Sequence, residues 1–112
     1  MYRLAVLLLL AVAAIPSFAG TQSFKNVAVV DVNCHAKVAS NPDAHPRECA
    51  LKCASSGYGV FTEDGKFLKL DAKGNKEVTQ ALKASKEKDH LRADVDGDVQ
   101  GDTLKVSSIK LL

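Results

Sequence analysis

The side chains best equipped for chemistry in this chain are three cysteines and one histidine: Cys34, His45, Cys49 and Cys53. Three thiolates and an imidazole form a closed tetrahedral donor set of the kind that holds structural zinc, and thiolates also accept Cu(I). Cys49 and Cys53 stand four apart, so on a helix their side chains share one face. His45 precedes that helix and can fold back towards Cys49. Cys34 ends a strand and joins them if the chain returns there. The spacing C-x14-C-x3-C lacks the paired C-x2-C knuckles that make a zinc motif specific. The same thiols also suit a disulfide: Cys34 with Cys49 or Cys53 closes a loop of about 15 residues, stabilising by roughly 3 kcal/mol. Cys49 with Cys53 is disfavoured, because helical geometry aims the two Cβ atoms poorly. Metal and disulfide stay open as alternatives. Either bridge leaves one odd cysteine, which admits thiol redox chemistry, although no C-x-x-C is present.

Other candidates are weaker. Asp94-Val95-Asp96-Gly97-Asp98, with Asp102, superficially suggests a calcium loop. The sixth and twelfth places counted from Asp94 hold Val99 and Lys105, where an EF-hand needs glycine and glutamate. On a strand, the three aspartates form one solvated face. His35, next to Cys34, would point to the opposite face of a continuing strand and reads as exposed unless a kink in the loop brings it in, and His90, at a strand start, reads as a surface residue. No G-x-S-x-G elbow, glycine-rich phosphate loop or H-E-x-x-H occurs, and a Cys/His dyad with His45 lacks a third group to orient it. With no tryptophan and two tyrosines, one of them Tyr2, the chain is poorly supplied with aromatic side chains on which the bases of single-stranded nucleic acid could stack.

The compartment matters for the thiols. Arg3, the apolar run Leu4 to Ile15, Pro16 and the small residues Ser17 and Ala19 have the three-part layout of a secretory signal, cleaved before Gly20. The run is too short for a membrane-spanning helix of about 20 residues, and no second apolar stretch is long enough to cross. The reading is a signal peptide at 1–19 and one domain at 20–112, periplasmic or secreted, where disulfides persist. Losing Arg3 leaves 14 Lys/Arg against 13 Asp/Glu, a balanced surface without the concentrated basic face of a nucleic-acid binder.

The elements that must position the thiols follow from local patterns. Phe24 to Val32 alternates valines and reads as a strand. Ala36 to His45 is a loop, with Asn41-Pro42-Asp43 as turn chemistry. Pro46 to Ser55 is a short helix with proline in its first turn and Gly57 beyond its end. Tyr58 to Thr62 and Lys66 to Asp71 form a hairpin about Glu63-Asp64-Gly65. Ala72 to Asn75 reads as a loop and Lys76 to Lys86 as a helix. Two strands follow from Leu91, joined at Gln100-Gly101-Asp102. Gly97 marks a barrel bend, and Ser107-Ser108 a bulge. The order β-α-β-β-α-β-β, its first short helix set aside, is that of a five-stranded OB-fold-like barrel, mainly β with two short helices; the alternative is an open antiparallel sheet with both helices packed on one face.

The strand end Asp31-Val32-Asn33-Cys34, the segment His45-Pro46-Arg47-Glu48-Cys49-Ala50-Leu51-Lys52-Cys53, the hairpin Thr62 to Lys66 and Val95-Asp96-Gly97-Asp98-Val99 carry a resemblance. In these the chain resembles small exported bacterial proteins with an OB-fold-like domain and a Cys…His-x3-Cys-x3-Cys segment. The resemblance implies a periplasmic or secreted β-barrel and no particular activity. The expectation is a non-enzymatic binding or accessory module whose Cys/His corner is disulfide-bonded or holds zinc or copper. The alternative is a thiol redox protein that uses the odd cysteine.

Overall fold

The computed structural model describes residues 20–112; the expected signal peptide at 1–19 lies outside them. Five strands close into a barrel: β1 (Gln22–Asp31), β2 (Tyr58–Phe61), β3 (Phe67–Leu70), β4 (Arg92–Gln100) and β5 (Thr103–Leu111). Their spatial order is β1-β2-β3-β5-β4, with β4 returning to β1. Every pairing is antiparallel except β3 with β5. This is the expected OB-like barrel.

The strand pattern explains the closure. In β4, Ala93, Val95 and Gly97 point inward and are buried, while Asp94, Asp96 and Asp98 alternate outward and stay half-buried. In β5, Leu104 and Val106 point inward, and the register then shifts opposite Asp96 and Gly97. That shift is the bulge expected at the paired serines. A Cβ at Gly97 would lie 2.4 Å from the Lys105 carbonyl oxygen, so only glycine lets β4 and β5 approach there. Gly65 takes φ +80° in the β2–β3 turn, the left-handed conformation that glycine adopts without strain. The core is a single cluster that includes Val27, Val29, Tyr58, Val60, Leu68, Val95 and Leu104.

Three short α-helices and three single 3-10 turns join the strands, one helix more than the pattern suggests. The addition is α1 (His35–Val38), within the segment expected as a loop. The other helix of the β1–β2 connection, α2 (Arg47–Lys52), runs only to Lys52. Cys53 caps it at φ −99°, ψ 20°, and a 3-10 turn at Ala54–Ser56 leads to Gly57. The last helix, α3 (Ala72–Ala84), begins four residues earlier than its apolar periodicity indicates. Asp71 supplies the reason: its side chain accepts a hydrogen bond from Gly74 N and so opens the helix through residues that otherwise read as a turn. Val78 and Leu82 anchor α3 in the core.

Gly97→Ala is expected to lower stability by about 2 kcal/mol through forced separation of β4 and β5. Gly20→Ala, where the added Cβ meets nothing within 4 Å, is expected to change it by less than about 0.5 kcal/mol. Urea unfolding followed by circular dichroism measures both.

Candidate functional site

At the end of β1 the chain leaves the barrel, and there a carboxylate is wholly enclosed. Asp31 is 0 % exposed. Its two oxygens are held separately: Oδ2 accepts from Cys34 N at 2.9 Å, and Oδ1 pairs with His45 Nε2 at 2.6 Å. A carboxylate can only accept, so Nε2 carries the proton. The first bond is local and makes Asp31 the cap of the 3-10 turn Val32–Cys34. The second reaches across fourteen residues to His45, itself 6 % exposed.

The capping bond turns Cys34 back over Asp31. The end of α2 brings Cys53 to the same place. Val32 N donates to Gly57 O at 2.9 Å and Asn33 N to Ser56 Oγ at 3.2 Å, so the two chain segments run side by side. Asn33 Nδ2 also lies 3.6 Å from Cys53 Sγ. A carboxylate oxygen of Asp31 and the sulfurs of Cys34 and Cys53 thus lie within 4.8 Å of one another. Both cysteines are half-buried. Partial burial first, then the Asp31 carboxylate and the neighbouring Cys53, push the Cys34 thiol above its ordinary value. The protonated thiol is favoured there.

Of the four residues expected to form one cluster, the structure therefore brings two, Cys34 and Cys53, together at their sulfurs. His45 belongs to the same corner but spends Nε2 on Asp31. Cys49 stands exposed on α2. The shared helical face expected for Cys49 and Cys53 needs both to lie inside one helix, and Cys53 caps α2 in a non-helical conformation. Asp31 is the functional residue that inspection of the cysteines and histidines passes over. Its signal is an acidic residue closing the buried run Val27 to Val30, three places before a cysteine.

Polar clamps outside the corner fix the connection between β1 and β2. Arg92 on β4 grips Asp43 with two bonds, Nε to Oδ1 at 2.9 Å and Nη2 to Oδ2 at 2.8 Å. The guanidinium holds the Asp43 carboxyl below the usual carboxylate range. Arg47 binds the end of α3 and its exit through Leu82 O and Glu87 O. The Tyr58 hydroxyl donates to Ala50 O at 2.9 Å, and burial pushes that phenol up. His35 is not a strand residue on an open face. It lies in α1 with its ring stacked on Phe67, centroids 4.2 Å apart and 7° from parallel.

Two of the three aspartates on β4 are tied into the barrel surface, whereas Asp98 keeps a buried Oδ1 without a hydrogen-bond partner. Asp96 accepts from Ser23 and Ser108 Oγ, and these bonds hold its carboxyl low, while Asp94 accepts from Asn26 N. A separate cleft of about 440 Å³ lies between the start of β1 and the β2–β3 turn. Ser23, Phe24, Lys25, Val27, Thr62, Glu63 and Asp64 line it.

No protein-family profile matches this chain, and no curated protein or solved structure matches it either. Among the described residues no helix is long and apolar enough to cross a membrane.

Two expected outcomes follow from this geometry. His45→Ala leaves Asp31 buried with half its solvation replaced, and stability should fall by about 3 kcal/mol, whereas Cys49→Ser should change it by less than about 0.5 kcal/mol; thermal melts compare them. The Asp43–Arg92 clamp works through a depressed carboxylate. Its contribution is complete above the ordinary aspartate pKa and is lost as pH falls through the lower folded value. Arg92→Gln should therefore cost about 1 kcal/mol at neutral pH and flatten the decline in stability below about pH 4, as read from urea midpoints across pH.

Proposed function

We propose that this protein is an exported, non-enzymatic binding or accessory module of the cell envelope, in which a Cys34–Cys53 disulfide fastens the β1–β2 connection to the barrel. All three cysteines are free thiols in this structure; one observation supports the fastening, that the sulfurs of Cys34 and Cys53 belong to the same 4.8 Å group, which Cys49 does not join. The leader read at residues 1–19 would deliver the thiols to oxidising surroundings, where such pairs close. Closure removes two protons and two electrons, which reduce the disulfide of an exported dithiol oxidase to its dithiol. A bridge between positions 34 and 53 closes a loop of about 20 residues, so its stabilisation is about 3 kcal/mol on the chain-entropy model. For a domain of this size that supplements a small core.

The non-enzymatic part of the reading draws on His45. Asp31 holds its Nε2, as the third group of a catalytic dyad would, but among the described residues no hydrogen bond joins the ring to a cysteine, and a nucleophile–base pair needs that contact. The binding part draws on the cleft beside β1. Its volume falls in the range of small-ligand sites, and it combines Phe24 and Val27 with Lys25, Glu63 and Asp64, a lining suited to a small ligand with both polar and apolar parts.

The test is intact mass and a non-reducing peptide map of protein recovered from the periplasm. The expected result is a chain beginning at Gly20, two hydrogens lighter than the fully reduced form. One bridge joins Cys34 to Cys53, and Cys49 is the single alkylatable thiol. Three free thiols after aerobic recovery, or a bridge that includes Cys49, would overturn the clamp. Retention of residues 1–19 in the cytoplasm would overturn export.

A further inference from the structure

We propose that Asp31, Cys34 and Cys53, with both thiols reduced, form a three-ligand site for a thiophilic divalent cation of the zinc class. The proposal shares its two sulfurs with the disulfide reading but uses their other oxidation state, so the two exclude each other in one molecule and are tested separately.

Three features of the corner carry it. The first is the donor geometry. Around a tetrahedral zinc with Zn–S near 2.3 Å, two sulfurs stand about 3.8 Å apart. The three donor atoms already lie within 4.8 Å, so a small contraction closes them on an ion.

The second is the state of Asp31. A fully buried carboxylate is costly unless its charge is answered, and the two bonds it accepts leave each oxygen a further lone pair. Carboxylate ligands in metal sites are themselves hydrogen-bonded from behind, which sets their direction. His45 occupies that position, bound to Oδ1 from within the fold. It is a positioning residue, not a ligand.

The third is where the ligands come from. The end of β1, the turn after it and the cap of α2 supply one each. The hydrogen bonds between Val32 and Gly57 and between Asn33 and Ser56 hold those segments in register.

The donor set selects the ion. Two thiolates exclude calcium and magnesium, which take oxygen alone. One carboxylate among them suits borderline Zn²⁺ better than Cu(I), which prefers soft donors throughout. Three protein ligands leave a fourth position for water, the pattern of an open zinc site. Both cysteines are half-buried, so that position is open to solvent and the ion exchanges.

The experiment uses the purified protein kept reduced with a phosphine, titrated with Co²⁺ as spectroscopic probe and then with Zn²⁺. One equivalent of cobalt should give a thiolate-to-metal charge-transfer band in the near ultraviolet and tetrahedral d–d bands, both bleached by one equivalent of zinc. Cys34→Ser and Cys53→Ser should each lose most of the charge-transfer intensity, and Cys49→Ser should bind as the parent does. His45→Gln should weaken binding about 10- to 100-fold without changing the band positions. Prior oxidation to the bridged form should abolish binding, and reduction should restore it. If Asp31→Asn unfolds the protein, the cysteine variants still decide, because their side chains are half-buried and their melting curves show whether they are folded. Absence of a cobalt band in reduced, folded protein overturns the metal site. So does a loss with Cys49→Ser equal to that with Cys53→Ser. Neither result touches the disulfide, which is read on oxidised protein.

Discussion

Enclosing the carboxylate of Asp31 at the end of β1 creates a charge that water cannot reach, and most of the β1–β2 connection is arranged to answer it. Taking an ionised carboxylate out of water without partners costs far more than a domain of this size can spare. One answering bond comes from Cys34 N and bends the chain back at once. The other comes from His45 and draws in a segment fourteen residues away. The first bond places Cys34 over the carboxylate. The second anchors the middle of the connection, from which α2 sets out and delivers Cys53.

The rest of the connection is held by polar contacts to the barrel more than by its own core. Among the residues of α1, α2 and the turns between β1 and β2, only Ala50 belongs to the buried apolar cluster, with Leu51 and Ala54 packed against it. The fasteners are Arg92 on Asp43, Arg47 on the end of α3, the Tyr58 hydroxyl on Ala50 O, and His35 stacked on Phe67. Each joins the connection to a different part of the barrel or its helix, so the corner is clamped on several sides while Cys34 and Cys53 stay only half-buried. This combination of fixed backbone and reachable thiols is what either a disulfide or an exchangeable ion requires. Cys49 is fixed to none of these partners and stays outside the corner.

The barrel was legible before its closure could be seen. Alternation in β4, the Asp-Gly turn, the glycine that bends β4 and the paired serines that break the β5 pattern are all local signals, and each corresponds to an observed feature. The start of α3 was not legible in the same way. Ala72-Lys73-Gly74-Asn75 has turn composition, and only the capping bond from Asp71, together with the packing of Val78 and Leu82, makes it helical. His35 was misplaced for a related reason. Alternation along a strand sets its direction only while the strand continues, and the chain had already turned at Asp31.

Residue types and spacing alone were enough to mark Cys34, His45, Cys49 and Cys53 as one candidate cluster that forms if the chain returns after β1. Hydrophobic period and turn chemistry, which act over a few residues, determined the strands and their order in the same manner. Which two of three cysteines meet, and that Asp31 and His45 complete the corner, were decided only in three dimensions. Side-chain direction at the cap of a six-residue helix depends on contacts many positions away. A carboxylate becomes a site only when the fold removes water from around it, and no local pattern records that removal.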